Sequence, residues 1–168
     1  MAGLPYDTIM WVNSKEDVRI RGAEITLGYD ARVAYINFSY SHSKLTNQPI
    51  GFGTGINGGA ASLAPDTYWT IDLGTRLLNE RLNLGTQIRY VSSSKAAAGQ
   101  FTDNSYWRDL PGYTLVDLYA NFKVNKHLDI FANIDNLTDR NYGYAGSMNY
   151  DTLSGRGRTF SAGIQARF

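Results

Sequence analysis

The 168-residue chain has no cysteine, only four prolines and two histidines. The missing cysteines exclude a disulfide framework, thiolate metal sites and a cysteine nucleophile. They do not exclude an oxidising compartment. No run approaches the ~18 apolar residues that a spanning helix requires. A net charge of +1, with its basic residues dispersed, gives no reason to invoke nucleic acid as a partner. The amino terminus, MAGLPYDTIMWVNSKED, has no basic stretch followed by an apolar core. It therefore reads as a mature form or a fragment rather than as a precursor with a signal peptide. Heptads, internal repeats and low-complexity tracts are also missing. No catalytic constellation is legible either. His127 falls in a short turn and His42 near a strand end, and neither has a carboxylate or hydroxyl at triad spacing. The glycines of GFGTGINGG have no strand before them and no helix after them, as a phosphate loop would need. The expectation is a protein that is not an enzyme and holds no cofactor or metal of its own.

What the chain has in abundance is alternation. Thr159 to Phe168 places Phe160, Ala162, Ile164, Ala166 and Phe168 on one face, with Ser161, Gln165 and Arg167 on the other. A period of two over this length is a β-strand with one apolar and one polar face. The same rule yields apolar sets at Leu128 to Ile134, Val116 to Val124, Leu82 to Tyr90, Trp69 to Leu77, Ala34 to Tyr40 and Ala23 to Tyr29, none with a charge. The opposite faces carry Glu24, Tyr35, Asn37, Asp72, Arg76, Gln87, Arg89, Asp117, Tyr119, Lys123, Asp129 and Asp135. On the apolar face Trp69, Tyr40, Tyr90 and Phe160 lie toward one strand end, and Tyr29, Phe122 and Phe168 toward the other. Two aromatic girdles around an aliphatic band are the pattern of strands crossing a bilayer. Charge on such a face costs ~2–4 kcal/mol at the midplane, which accounts for its absence.

Connections alternate in length. Tight links at Tyr29–Arg32, Leu78–Arg81 and Val124–His127 separate long segments at Leu45–Asp66, Ser92–Gly112 and Thr138–Gly157. Short turns facing the periplasm and long loops facing outward are the outer-membrane arrangement. Tyr6–Val12 is a further strand, and the apolar phase shift between Val18-Arg-Ile20 and Ala23-Glu-Ile25 predicts a bulge near Gly22. The fold class is thus all-β, about eight antiparallel transmembrane barrel strands joined by hairpins. Candidate ligand-binding residues of the outer loops are Phe52, Tyr106, Trp107, Arg108, Tyr144 and Tyr150, with His42 at a loop base as a possible axial ligand. The inward charges Asp72, Arg76, Arg89 and Asp117 could line a permeation path or hold an internal plug, and mutual pairing explains them equally well.

The stretch Tyr113-Thr-Leu-Val-Asp-Leu-Tyr-Ala-Asn-Phe122, then Leu128-Asp-Ile-Phe-Ala-Asn-Ile-Asp-Asn-Leu-Thr-Asp-Arg-Asn-Tyr142 and Gly157-Arg158-Thr-Phe160 with terminal Phe168, resembles the end of TonB-dependent outer-membrane receptors. The Asn-Leu-x-Asp-x-x-Tyr element maps onto Asn136, Leu137, Asp139 and Tyr142. Val18 to Glu24 and Pro65 to Asn79 resemble the preceding strands. The resemblance implies the carboxy-terminal portion of a 22-stranded barrel, without the plug and TonB box, spanning residues 1–168 as one segment. It also implies a bacterial outer-membrane location and uptake of an iron-bearing ligand, haem or a ferric siderophore. Gly155 to Phe160 resembles haem-acquisition receptors within the family. Implied partners are outer-membrane lipid, the iron chelate or haem, the TonB system through a plug, and the barrel-assembly machinery through the last strand. The alternative is a self-contained eight-stranded barrel with a structural or adhesin-like role.

Overall fold

The computed structural model describes residues 17, 19–46, 62–97, 107–145 and 152–167. In chain order the strands are β1 (Arg19–Asp30), β2 (Ala34–Thr46), β3 (Ser62–Leu63), β4 (Thr67–Leu77), β5 (Leu82–Val91) and β6 (Ser94–Ala97). They continue as β7 (Trp107–Leu110), β8 (Tyr113–Asn125), β9 (Leu128–Asp135), β10 (Gly143–Ala145), β11 (Thr152–Ser154) and β12 (Thr159–Ala166). Seven of them build one antiparallel sheet in the order β1-β2-β4-β5-β8-β9-β12, so each long strand pairs with the next. This is the expected all-β hairpin succession. The further strand expected over Tyr6–Val12 lies outside the described residues.

The short connections sit together at one sheet end, after Asp30, Leu77 and Asn125. Two of them need left-handed backbone, at Arg32 (φ 66°) and at Leu78, Asn79 and Glu80 (φ 53°, 57° and 64°). The long connections lie at the other end and are not plain loops. The first two contribute a three-stranded sheet, β3-β6-β7, and the third closes on the β10-β11 hairpin. Strands of two to four residues show no readable period, which is why the sequence displays these segments as loops.

One expectation is corrected. β1 and β2 pair continuously from Arg19↔Thr46 to Asp30↔Tyr35, with no bulge at Gly22. The strands instead approach closely there, where a Cβ on Gly22 would fall 2.5 Å from the His42 carbonyl oxygen. The described sheet has its register shift in β8, between Lys123 and Asn125, against β9.

Because pairing is otherwise regular, strand parity sets the faces. Tyr40, Trp69 and Tyr90 fall in one cross-strand row, with the Trp69 and Tyr90 rings stacked at 5.4 Å. The apolar face is uncovered: Leu27, Phe160 and Ile164 are 61%, 69% and 72% exposed. Among the described residues the buried hydrophobics are Leu110 and Leu115 alone, and both lie near the long-connection end. A soluble sandwich buries its apolar faces against each other, and among the described residues nothing packs on this face. Among the described residues β12 pairs with β9 only and β1 with β2 only, and the two do not pair with each other.

Candidate functional site

The polar face carries a continuous network built on the cross-strand row Tyr35↔Gly74↔Gly85↔Tyr119. Two glycines in the middle of the row leave a flat trough. A Cβ on Gly74 would lie 2.2 Å from the Tyr35 ring, and one on Gly85 2.2 Å from the Tyr119 ring. Both rings therefore lie down over the sheet from opposite sides, and their hydroxyls meet at 2.6 Å. Tyr119 also donates to Asp72 Oδ1 at 2.7 Å, and Asn37 Nδ2 reaches Asp72 Oδ2 at 3.4 Å. Toward the short turns the Arg76 guanidinium stacks over the Tyr35 ring at 4.7 Å and grips both Asp30 oxygens at 2.7 and 2.9 Å. Fork-to-fork pairing of this kind fixes geometry as well as charge. Phe131 repeats the device over Gly163, where a Cβ would fall 2.4 Å from the ring.

Toward the long connections the network becomes a clamp on a turn. Arg89 pairs with Asp117 Oδ2 at 2.6 Å, and the other carboxylate oxygen accepts the backbone N–H of Asn136 at 2.8 Å. Asn136 is 3% exposed and adopts φ 51°, a conformation asparagine tolerates better than most residues. Its Nδ2 donates to the carbonyls of Arg140 (3.0 Å) and Arg156 (3.2 Å), and its Oδ1 accepts from the Arg140 N–H (2.8 Å). Leu137 donates its N–H to the Val116 carbonyl at 2.7 Å, tying the turn to β8. Asp139, at φ 52°, accepts the Arg158 N–H at 2.9 Å and faces the Arg158 guanidinium at 3.7 Å. A Cβ on Gly157 would lie 3.3 Å from that carboxylate, so the glycine permits the approach. The Tyr142 ring lies on Gly155 and packs against Tyr113 at 4.5 Å. The spacing Asn-Leu-x-Asp-x-x-Tyr is thus a structural clasp that joins both ends of the Thr138–Gly157 connection. Chemically it is a set of satisfied polar groups rather than a reactive centre.

Beside the clasp a cavity of about 240 Å³ is rimmed by Tyr68, Tyr113 and Tyr144 with Pro65 and Pro111. Tyr68 and Tyr113 share the polar face with Asp72 and Asp117, so this cavity opens above the network. The sequence reading missed both Tyr68 and Tyr113, because each stands at the very start of its strand, where alternation has barely begun.

The remaining expected residues distribute as follows. Asp72, Arg76, Arg89 and Asp117 all lie on the polar face and all are paired, as is Asp129 with Arg167 at 3.0 Å. Tyr144 stands in β10 at 45% exposure, and Arg108 is exposed in β7, whose first residue is Trp107. His42 lies on the apolar face, two positions beyond Tyr40, with Nδ1 2.9 Å from Thr67 Oγ1. It therefore projects away from the Asp72–Arg89 network. Phe52, Tyr106, Tyr150 and Phe168 lie outside the described residues. No group of three or more metal-ligating side chains is found among the described residues.

Residues 3–137 match the family model "TonB dependent receptor-like, beta-barrel". A probable TonB-dependent receptor of Haemophilus influenzae is 28% identical over 177 residues, covering 83% of this chain and 19% of the relative. The TonB-dependent heme receptor A of Haemophilus ducreyi is 28% identical over 158 residues, covering 89% of this chain and 21% of the relative. The chain therefore spans about a fifth of the length of the curated relatives it matches. Among solved structures, the FrpB iron transporter of Neisseria meningitidis superimposes with a TM-score of 0.66 at 24% identity, over 90% of this chain and 23% of that one. At that identity the likeness speaks for the fold alone. The family match covers most of the sequence, and the chain belongs to the TonB-dependent receptor β-barrel family.

Proposed function

We propose that this chain forms part of the barrel wall of a bacterial outer-membrane receptor that takes up an iron-bearing ligand, haem or a ferric siderophore. The observation that carries the proposal is the division of one sheet into two solvents. An exposed apolar face with an aromatic row stands opposite a polar wall on which Asp72, Arg76, Arg89, Asp117 and Asp129 are each paired. Lipid contacts the first face and the aqueous lumen the second. The family match supports this reading, as do relatives named as a TonB-dependent receptor and a heme receptor. The larger barrel is favoured over a self-contained eight-stranded one by the family match and by curated relatives about five times the length of this chain. In such a receptor, residues 1–168 supply a carboxy-terminal barrel segment, the TonB system delivers energy through a plug, and the barrel-assembly machinery engages the last strand. The role is transport rather than catalysis.

The ligand is captured, in this reading, by aromatic residues of the long connections. The test is binding of haem and of ferric siderophores to the membrane-embedded receptor, with Tyr106, Trp107 and Tyr144 each replaced by alanine. Loss of a stacking aromatic at a true contact costs on the order of 1 kcal/mol or more, a fivefold or greater fall in affinity. If all three variants bind every iron chelate as the parent does, these connections are not the capture surface.

A further inference from the structure

The outward face of β1 and β2 changes chemistry near the long-connection end. On β1 this face runs Tyr29, Leu27, Ile25 and Ala23, then Arg21 and Arg19. On β2 it runs Ala34, Ile36, Phe38, Tyr40 and His42, then Lys44. Since pairing is unbroken, Arg21 stands directly opposite Lys44, and Arg19 opposite Thr46. Opposed Cβ atoms are ~5 Å apart and same-face neighbours along a strand ~7 Å apart, so three cations share a patch ~10 Å across. All three side chains are exposed. No ion pair links any of them to a carboxylate among the described residues. Asp17, just before β1, can offset one of the charges at most. Like charges placed directly opposite destabilise a strand pair, so among the described residues this corner is self-repelling and favours a bound anion.

Its position selects the anion. The patch continues the apolar face, four residues along the strands from the row Ile25, Tyr40, Trp69 and Tyr90. That separation is ~13 Å along the strand, or ~10 Å along the bilayer normal for a tilt of ~40°. Aromatic girdles mark the boundary of the hydrocarbon, so cations at this height meet lipid headgroups, not acyl chains and not the lumen. The sequence of layers, aliphatic then aromatic then cationic, is continuous on one outward surface and matches a lipid read from its tails to its phosphate.

We propose that Arg19, Arg21 and Lys44 form a binding site for the phosphate groups of an anionic lipid in the outward leaflet. The inference rests on the membrane reading above. Each cation near a charged membrane surface contributes about a fivefold gain in lipid retention. The full chain is reconstituted in phosphatidylcholine vesicles with or without lipid A, floated, then extracted and assayed for bound lipid A. The double charge reversal Arg21→Glu with Lys44→Glu is compared with Lys44→Arg and with Arg32→Glu, an exposed cation at the short-turn end. The proposal expects a tenfold or greater fall in retained lipid A for the double reversal, none for the other two, and unchanged retention of phosphatidylcholine. Added inorganic phosphate should not displace the lipid, and its doing so would make the site one for free anions. Equal lipid A retention in the double reversal, or equal loss in Arg32→Glu, overturns the proposal. A double reversal that still floats but loses both lipids alike also overturns it. If the unmodified chain floats with neither vesicle type, the membrane reading itself falls and this inference with it.

Discussion

Replacing Asn136 by alanine tests whether the family's Asn-Leu-x-Asp-x-x-Tyr spacing is a structural clasp. The side chain makes three hydrogen bonds, two donated to the carbonyls of Arg140 and Arg156 and one accepted from the Arg140 N–H, at 3.0, 3.2 and 2.8 Å. The residue is 3% exposed, so water cannot readily replace them. Each bond is worth ~1 kcal/mol net, and more where a buried partner is left unsatisfied. Alanine must also hold φ 51°, a left-handed conformation that costs a non-glycine residue ~1 kcal/mol. The expected loss of stability is therefore about 4 kcal/mol, read as the shift of the urea unfolding midpoint in detergent micelles at constant slope. Thr138, in the same turn, is exposed. Its alanine variant serves as the control and should change stability by less than ~0.5 kcal/mol. A loss under ~1 kcal/mol for Asn136→Ala, or equal losses for the two variants, would refute the clasp.

Gly85→Ala places a methyl 2.2 Å from the Tyr119 ring and should cost ~2 kcal/mol by overpacking, whereas the same change in a Tyr119→Ala background should cost less than ~1 kcal/mol by the same urea-unfolding assay. Asp117→Asn weakens the 2.6 Å contact with Arg89 and should cost ~2 kcal/mol, the worth of a hydrogen bond to a charged group. Its effect should be non-additive with Asn136→Ala, because the two residues touch through the 2.8 Å bond to the Asn136 N–H.

The long strands were legible because each solvent imposes a period of two, and that signal survives without knowledge of pairing. Where the solvent changes, the same signal misleads. The apolar phase shift at Gly22 arises because Arg19 and Arg21 stand outside the apolar band on the face that Ala23, Ile25 and Leu27 occupy within it. The backbone continues unbroken there. Conversely, Val124 falls at the real irregularity in β8, yet Phe122 and Val124 keep the apolar rhythm and conceal it. The tyrosine trough was not legible at all, since Tyr35, Gly74, Gly85 and Tyr119 meet only once three separate registers are known. The spacing of Asn136, Asp139 and Tyr142 could be recognised as a family element, but its role as a clasp required the Asp117 carboxylate, Gly155 and Gly157 in place.

The most direct test of the central claim, that one face of this sheet meets lipid and the other the lumen, uses the absence of native cysteine. Single cysteines are introduced at Leu73, Leu118 and Ile164 on the apolar face and at Asn37, Gln87 and Gln165 on the polar face, and each variant is labelled in reconstituted membranes. The account predicts that labels at 73, 118 and 164 are quenched by a lipid-soluble agent and shielded from a charged aqueous one, and that labels at 37, 87 and 165 show the reverse. Equal accessibility on both faces, or lipid contact at 37, 87 and 165, would contradict it.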